Sequence, residues 1–329
     1  MPAQNIKALY NALIQHWKEN PGLQVEAWQV VNYRTLSTED LFKRLSELDY
    51  HLNQATFTAF AEEYENPEEL VENLVENEED EEEEDERLIE QIFLPVFELW
   101  RRLVPEKRSL SIFCDDLDQI ITAYDENSLK DNDPVDTALN NLIQLVENNS
   151  EDESDAPQVF QSIISECANN VEEFLYDYIA ALEDEKNFSY ASELIDAFLP
   201  WVSDQKWFEF LQIRAVSAED PEHAATLIDD ILSHEVEDFS FYLELLAFLT
   251  QEGDPKNFAS TLKRTLSLAE REEDFVEILE ICQDYFHFLD KELEESKVAA
   301  LQKKYVDLAA DKPFDYSSNP DSKALLSLF

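Results

Sequence analysis

Glycine is almost absent from this chain, and its scarcity limits the folds open to it. Only Gly22 and Gly253 occur among 329 residues. Tight β-hairpin turns and phosphate-binding loops both need backbone positions with positive φ, which glycine adopts at the least cost. Hydrophobic residues still make up 44% of the sequence, which is enough for a packed core. The sequence therefore predicts an all-α protein, in which a helical bundle precedes a stacked array of helix-turn-helix units.

Residues 1–75 are typical of a small bundle of four or five short helices. In the first helix, Ile6, Leu9, Leu13 and Trp17 recur at the spacing of one helical face. We therefore expect a helix with one apolar face, which Pro21 and Gly22 end.

Two helix starts in the bundle carry capping residues. Ser37 or Thr38 precedes an acidic first turn, where a hydroxyl can accept a hydrogen bond from a free backbone amide. Asn66 precedes Pro67, whose fixed φ suits the first position of a helix. The two patterns predict helix starts near these residues.

Residues 76–87 form an acidic segment between the bundle and the next helices. The segment carries nine consecutive acids and has no apolar side chain before Arg87. Because burial of this run would offset none of its ordering entropy, a solvated linker is one interpretation, and a tract that docks cations is the other. The candidate docking residues are Glu78, Glu79, Asp80, Glu81, Glu82, Glu83, Glu84, Asp85 and Glu86.

We predict that residues 88–170 form the central helices. They contain a cluster of basic residues, which are rare in this chain. Arg101, Arg102, Lys107 and Arg108 are four of only 24 lysines and arginines in the chain. One interpretation is an internal partner for the acidic segment, which a basic ligand would displace. The other is a helix C-terminus, where cations are favoured by the helix dipole.

From residue 171 the sequence repeats with a period near 34. Three stretches each combine an aromatic-aliphatic helix, an acidic turn and a second helix. Ala191 and Ala224 occupy equivalent positions 33 residues apart, and Pro221 and Pro255 are 34 apart. This pattern resembles the tetratricopeptide repeat. The third copy is the most similar, with Tyr242, Leu245 and Leu249 in its first helix, a turn glycine, and Ala259, Leu262 and Leu266 in its second helix.

The resemblance covers residues 171–309, and it has departures. Leu246 stands where the family favours a small residue, and the first two copies have Lys186 and Glu219 near the position of the turn glycine. The resemblance implies a stacked right-handed array whose concave groove binds peptides or partner helices. Residues 310–329 are a tail whose apolar end either covers the last hairpin or serves as a docking motif.

The net charge of −51 restricts the possible partners of this chain. Nucleic acid and anionic membranes would be repelled, so we expect no direct nucleic-acid partner and no membrane partner. Basic proteins or peptides are favoured instead. Adaptation to a high-salt cell is an alternative origin of the charge.

Motifs for catalysis or cofactor binding are missing from the sequence. There is no GxSxG, no HExxH and no glycine-rich phosphate loop, and the five histidines are scattered. The loop at 125–136 has alternating oxygen donors, but Lys130 stands where a calcium loop needs glycine. We therefore predict no catalytic, cofactor-binding or metal-binding residues, with calcium at this loop as the weaker alternative.

The cysteines indicate a reducing environment. Cys114, Cys167 and Cys282 are odd in number, lie beside apolar residues and form no CxxC motif, which predicts buried free thiols. The sequence has neither a leader with a cleavage site nor an apolar run of membrane-spanning length. These features predict a cytoplasmic protein.

The combined pattern predicts a non-enzymatic, acidic interaction protein that acts as an adaptor or a chaperone-like factor. Its field would attract a basic protein or peptide, and aromatic residues of the array groove would hold it. The candidate groove residues are Trp207, Phe208, Tyr242 and Phe275. Alternatives are a nucleic-acid mimic that occupies a DNA- or RNA-binding protein, an enzyme with a site between bundle and array, and a scaffold whose charge serves only solubility.

Overall fold

The computed structural model describes residues 6–76, 86–217, 220–234, 236–252, 255–305 and 312–329. Within these ranges the protein is all-α, as predicted, with seventeen α-helices and two short 3₁₀-helices. The α-helices are α1 Ile6–Glu19, α2 Thr38–Glu47, α3 Gln54–Glu63, α4 Pro67–Glu76, α5 Glu86–Leu103, α6 Leu110–Asp125, α7 Asp133–Asn149, α8 Ala156–Ile164, α9 Val171–Asp184, α10 Phe188–Phe198, α11 Gln205–Ser217, α12 Pro221–Ser233, α13 Phe239–Glu252, α14 Pro255–Leu268, α15 Glu272–Phe288, α16 Glu292–Gln302 and α17 Pro320–Leu326. The 3₁₀-helices are Ala27–Val30 and Tyr33–Thr35.

The chain forms two compact units. The first contains the residues up to Asp177 together with Pro200–Ser203, and the second contains Tyr178–Leu199 and Asp204–Phe329. The limits of the five segments predicted from the sequence stay predictions. Of the predicted acidic docking run, Glu78–Asp85 lie outside the described residues, and Glu86 is the first residue of α5.

Helix α5 is the centre of the core in the N-terminal part of the first unit. Apolar residues occupy nearly every face of its middle turns, so α5 is surrounded by other helices, with α2, α3 and α4 packed against it. Its buried apolar side chains are Ile92, Phe93, Leu94, Val96, Phe97, Leu99 and Trp100. Phe57 of α3 and Leu41 of α2 complete this cluster.

The two predicted capped starts are confirmed. Ser37 Oγ accepts a hydrogen bond from the amide of Asp40 at 3.1 Å, and α2 begins at the next residue. Asn66 Oδ1 accepts a hydrogen bond from the amide of Glu69 at 2.8 Å, and α4 begins at Pro67. Local side-chain chemistry therefore fixes where both helices start.

The predicted apolar face of α1 is only partly buried, with Ile6 in the core and Leu13 and Trp17 half-buried. Leu9 is 50% exposed, whereas Lys7 and Asn11 are buried beside Ile6 and Tyr10. Lys7 and Asn11 point inward because both contact the buried carboxylate of Asp115 on α6, as described below. Its register is therefore set by charge pairing as well as by apolar spacing.

The second unit contains neighbouring helices that pack in pairs. Helix α11 packs against α12, α13 against α14, and α15 against α16, while α13 also contacts α11 and α15. The first helices of successive pairs, α9, α11 and α13, begin 34 residues apart. Each pair therefore lies beside the next, as in a helical repeat.

Positive φ occurs at four described residues other than glycine. They are Asp49, Asn127, Lys186 and Asp290. Lys186 lies between α9 and α10, near the place where the repeat family favours glycine, and Asp290 lies between α15 and α16. Three of these reversals use Asp or Asn, which tolerate the left-handed region best after glycine, and only Lys186 is a side chain that rarely adopts it.

The C-terminal residues cover aromatic side chains of the second unit. The Phe314 amide donates to the Glu270 carbonyl at 2.7 Å, next to an isolated antiparallel bridge between Arg271 and Pro313. The Phe329 ring stacks on Phe258 and Phe286, with ring centroids 5.2 and 4.7 Å apart. The apolar end thus packs on α14 and α15.

Candidate binding groove beside α6

A buried ionic centre holds α1, α5 and α6 together in the first unit. Asp115 of α6 is 1% exposed. Its carboxylate lies 3.4 Å from Lys7 Nζ and 2.7 Å from an Arg34 nitrogen, and it also pairs with Arg101. Asp116 lies beside it and binds the same two arginines, at 2.7 Å from Arg34 and 2.6 Å from Arg101. The centre therefore joins segments that are far apart in sequence.

The ionisation of Asp115 is fixed by these cations. Burial alone would raise its pKa, but the charges of Lys7, Arg101 and Arg34 outweigh it and hold the pKa well below the usual range for aspartate. Asn11 Nδ2 donates a further hydrogen bond to Asp115 at 2.8 Å. Asp115 is thus a fully partnered anion with a structural role.

Asp118 ties α6 to the chain after α8. Its carboxylate accepts hydrogen bonds from the amides of Ala168 and Asn169 at 2.9 Å. Cys114, one turn earlier, donates a weak hydrogen bond to the Ile163 carbonyl at 3.5 Å. This face of α6 therefore fixes the end of α8 and the residues that follow it.

Three of the four clustered bases have structural partners. Arg101 belongs to the ionic centre. Arg102 donates to the carbonyl of Leu36 at 2.8 Å, and Lys107 Nζ donates to the carbonyls of Ala61, Glu62 and Tyr64 at the end of α3. These contacts show that the three cations stabilise the fold and do not form an exposed basic patch. The fourth base, Arg108, is exposed.

Two cavities with mixed apolar and polar linings lie beside α6, and together we call them the α6 groove. The cavity between α6, α7 and α8 has a volume of about 610 Å³, and the one between α6 and α7 has about 560 Å³. Both are lined by Arg108, Phe113 and Asn141. Their further apolar lining is Leu110, Leu145, Val159 and Ile163 in the first cavity, and Ile112, Leu117, Ile120, Ala123, Leu129, Pro134 and Ala138 in the second.

A smaller polar cavity adjoins the groove, and we call it the Glu68 pocket. Its volume is about 210 Å³, and it shares Ser109, Leu110 and Ser162 with the larger α6–α8 cavity. Its full lining is Asn66, Glu68, Ser109, Leu110, Ser111, Ser162 and Glu166. Two carboxylates and three hydroxyls therefore face one small volume next to an apolar one.

Glu68 is buried in this pocket without a cation. The residue is 7% exposed, and its Oε1 atom has no hydrogen-bond partner within the described ranges. Burial raises its pKa, a hydrogen bond from Ser111 opposes this shift, and the charge of Glu166 adds to it. Burial also raises the pKa of Glu166. An unpaired buried carboxylate is costly, so this side chain favours an incoming cation.

The surroundings of the groove are strongly acidic. Residues 109–177 carry seventeen acids and one base, Lys130. Burial and the charge of Asp177 raise the pKa of Asp125. The exposed acids of this region are Asp125, Glu126, Asp131, Asp133, Glu147, Glu151, Asp152, Glu153, Glu173 and Asp177. A ligand of the groove therefore approaches through a negative field.

The aromatic residues predicted to line an array groove lie elsewhere. Tyr242 and Phe275 are fully buried, Phe208 is 3% exposed, and Trp207 is partly buried against the core of the second unit. A ligand would reach Tyr242 or Phe275 only if this unit opened. Their binding role stays a prediction, and the accessible cavities direct attention to α6 instead.

Sequence reasoning missed Glu68 and Glu166 as site residues. Glu68 follows Pro67 in the first turn of α4, where an acid normally complements the helix dipole in solvent. The two glutamates are almost a hundred residues apart, and only the packing of α4 beside α6 and α8 brings them to one pocket. The sequence shows the apolar stripes of α6 and α7, but it does not show which part of each stripe remains uncovered by other helices.

Searches for clustered ligands and for relatives gave no further assignment. Within the described ranges, no group of three or more histidine, cysteine or acidic side chains could hold a metal ion. No described helix has both the length and the apolar character needed to cross a membrane. No family model matches the chain, and no curated protein or solved structure is significantly similar to it.

Proposed function

We propose that this protein is a non-enzymatic interaction module that binds a basic segment of a partner protein, as an adaptor or a chaperone-like factor. The observation that carries the proposal is the position of the α6 groove. An open surface with several apolar side chains, whose lining also includes Arg108, lies along residues 109–177, a segment that has seventeen acids and one base. Such a surface suits an amphipathic segment with apolar residues on one side and cations on the other.

Binding would proceed through two separable effects. The negative field raises the rate at which a cationic segment meets the protein, and salt weakens this attraction. Apolar side chains of the segment then enter the groove against Leu110, Phe113 and Leu145, and their burial slows dissociation. Charge therefore selects the class of partner, and the cavities hold it.

We further propose that the helical pairs of the second unit are tetratricopeptide-like. The spacing of the helix starts and the side-by-side packing of α11, α13 and α15 support this assignment. The array would then present a partner-binding surface of its own. The free thiols at Cys114, Cys167 and Cys282 fit a site of action in the cytoplasm, where disulfides are rare.

A matched pair of leucine variants tests the proposal. Leu110 is 38% exposed and lines the groove, whereas Leu9 is 50% exposed and lies on α1. The probe is a fluorescent amphipathic peptide with lysines on one face and leucines on the other, and its affinity is measured by fluorescence anisotropy. We expect Leu110→Asp to weaken binding about tenfold or more, and Leu9→Asp to leave it unchanged.

The design separates apolar recognition from charge. Both variants add one negative charge, so a protein that attracts the peptide by charge alone would bind it equally well or better after either change. Equal affinities of the two variants would therefore overturn the groove as the binding surface. If the wild-type protein does not bind the peptide at low salt, the proposed function itself is wrong.

A further inference from the structure

The Glu68 pocket has the chemistry of a cation-binding site, and no cationic side chain of the described residues pairs with its carboxylates. Glu68 is over nine-tenths buried, its Oε1 atom has no hydrogen-bond partner in the described part of the chain, and the atom belongs to a side chain that lines the pocket. Within the same ranges no lysine or arginine pairs with Glu68 or Glu166. The nearby Lys107 is already bound to three carbonyls at the end of α3.

This situation differs from an ordinary cluster of surface acids. Surface carboxylates are hydrated and gain little from an added cation. A buried carboxylate with an unsatisfied oxygen has already lost its water, so the gain from a hydrogen-bonded cation is larger. Glu166 lies across the same small volume and adds a second negative charge.

The donors and acceptors of the pocket fit an ammonium group. An ammonium carries three N–H donors and no acceptor, so it needs oxygen atoms on several sides. The pocket offers the carboxylates of Glu68 and Glu166 and the hydroxyls of Ser109, Ser111 and Ser162. Ser109 Oγ and Ser111 Oγ lie 2.8 Å apart, so one of them can donate to the other and still accept from a ligand. Two carboxylates are fewer than a calcium ion generally takes.

The neighbouring cavity defines what should accompany the ammonium group. The α6–α8 cavity shares Ser109, Leu110 and Ser162 with the pocket and is otherwise lined largely by apolar side chains. A lysine has a flexible apolar stem and a compact charged head, so its stem can cross Leu110 while its head enters the pocket. An apolar side chain near that lysine would then enter the larger cavity.

We infer that the Glu68 pocket recognises the ammonium group of a lysine side chain in the bound segment, beside an apolar side chain held in the α6 groove. This inference rests on the proposed function and gives it a specificity determinant. The long-range field treats all cations alike, whereas the pocket distinguishes lysine from other residues of the same charge.

Peptides of equal charge test this recognition. The lysine peptide is compared with one in which every lysine is trimethylated and one in which every lysine is arginine. Both changes keep the positive charge, but trimethylation removes all N–H donors, and arginine replaces a compact head by a broad planar one. We expect the wild-type protein to bind both altered peptides about tenfold more weakly, the loss expected for hydrogen bonds to a charged group.

Protein variants locate the effect in the pocket. Glu68→Gln and Glu166→Gln should each weaken binding of the lysine peptide about tenfold, and should abolish the difference between lysine and trimethyl-lysine. Glu72→Gln is the matched control, because Glu72 is exposed, lies one turn later on α4 and loses the same charge. Its affinity should stay within about twofold of wild type. Thermal melting of each variant checks that the unit remains folded.

The outcomes separate this inference from the proposed function. Equal binding of the three peptides by wild-type protein, or equal losses in Glu68→Gln and Glu72→Gln, overturns the ammonium pocket. If Leu110→Asp still weakens binding in that case, the proposed function stands without it. If the wild-type protein binds none of the peptides, both are wrong.

Discussion

Two buried carboxylates of the first unit lie in opposite electrostatic environments. Asp115 and Glu68 are 1% and 7% exposed. Asp115 meets three cations, which hold its pKa well below the usual range, whereas Glu68 meets none, and burial raises its pKa. Similar burial therefore gives pKa shifts of opposite direction. The number of cations beside a buried acid, and not only how deeply it is buried, therefore affects whether it has a structural role or can bind a ligand.

The second unit provides a buried carboxylate with a single cation. Glu183 of α9 is buried and has one cation, Arg214 of α11, at 3.0 Å. Burial raises its pKa to about 8, and the charge of Arg214 only partly opposes this. One partner is therefore too few to restore the ordinary pKa. The series from three cations to one to none can be tested at each member.

The largest effect is expected at Asp115. Asp115→Asn leaves Lys7, Arg34 and Arg101 close together without their shared anion, so the free energy of unfolding should fall by about 3–5 kcal/mol. Urea unfolding combined with hydrogen exchange of α6 peptides measures this loss. Asp116→Asn is the control, because Asp116 binds the same arginines from a partly exposed position. A loss for Asp116→Asn as large as that for Asp115→Asn would contradict the ranking.

The pH dependence of this anchor follows from the sign of its shift. A carboxyl whose folded pKa is depressed contributes stability above its unfolded pKa, near 3.9, and loses it as pH falls toward the folded value. Wild-type protein should therefore lose stability below about pH 4 more steeply than Asp115→Asn does.

A smaller effect of opposite sign is expected at Glu183. Its folded pKa of about 8 exceeds the ordinary value of 4.5, so the native state binds more protons in this interval and loses stability as pH rises through it. Glu183→Gln removes that loss and should raise the free energy of unfolding by roughly 2 kcal/mol at high pH, and much less at pH 5. Denaturant titrations at the two pH values measure the difference. A gain that does not change with pH would show that charge is not the cause.

Glu68→Gln should give a still smaller gain in stability. Removal of an unpaired buried charge should raise the free energy of unfolding by about 1 kcal/mol near neutral pH, and the gain should shrink as pH falls through the glutamate range. Thermal unfolding over this range provides the measurement, with the exposed Glu72→Gln as the unchanged control. A loss of stability at neutral pH would mean that Glu68 has a cationic partner in the native state.

The smallest effect concerns the thiols and involves no change in stability. Burial raises the pKa of Cys282, and a hydrogen bond that the Cys167 thiol donates to Cys114, together with burial, raises that of Cys167. Since the thiolate is the reactive form, native protein should be alkylated by iodoacetamide at least about tenfold more slowly than unfolded protein near neutral pH. Cys282 is fully buried and should react last. Peptide mass mapping over time would reveal the order, and early labelling of Cys282 would refute it.

The sequence was sufficient for the helical fold and for several helix ends. Glycine scarcity and apolar periodicity predicted an all-α chain, and the caps at Ser37 and Asn66 act within a few residues of their own position. The inward face of α1 was not predictable in this way. Lys7 and Asn11 are buried because Asp115 lies opposite them, more than a hundred residues later in the chain. Apolar spacing contains no information about such a partner.

The candidate site was harder to predict for the same reason. Seventy-five acids give many possible pairs, and the sequence does not show which acid is buried without a cation. The clustered bases illustrate the point. Arg102 and Lys107 donate to backbone carbonyls, acceptors that every residue supplies and that leave no mark in a sequence. Site residues therefore emerged only once the packing of α4, α6 and α8 was known.

The left-handed residues described above affect the unfolded chain as well as the folded one. Asp49, Asn127, Lys186 and Asp290 each cost the native state roughly 1 kcal/mol of backbone strain. Glycine at such a position would remove the strain but would give the unfolded chain more conformations to lose, a cost of about 0.4–1 kcal/mol. The two contributions nearly cancel. A chain with two glycines can therefore make its tight reversals with almost no net loss of stability. The unfolded chain has less conformational entropy than a glycine-rich chain would have, and this difference offsets the strain in the turns.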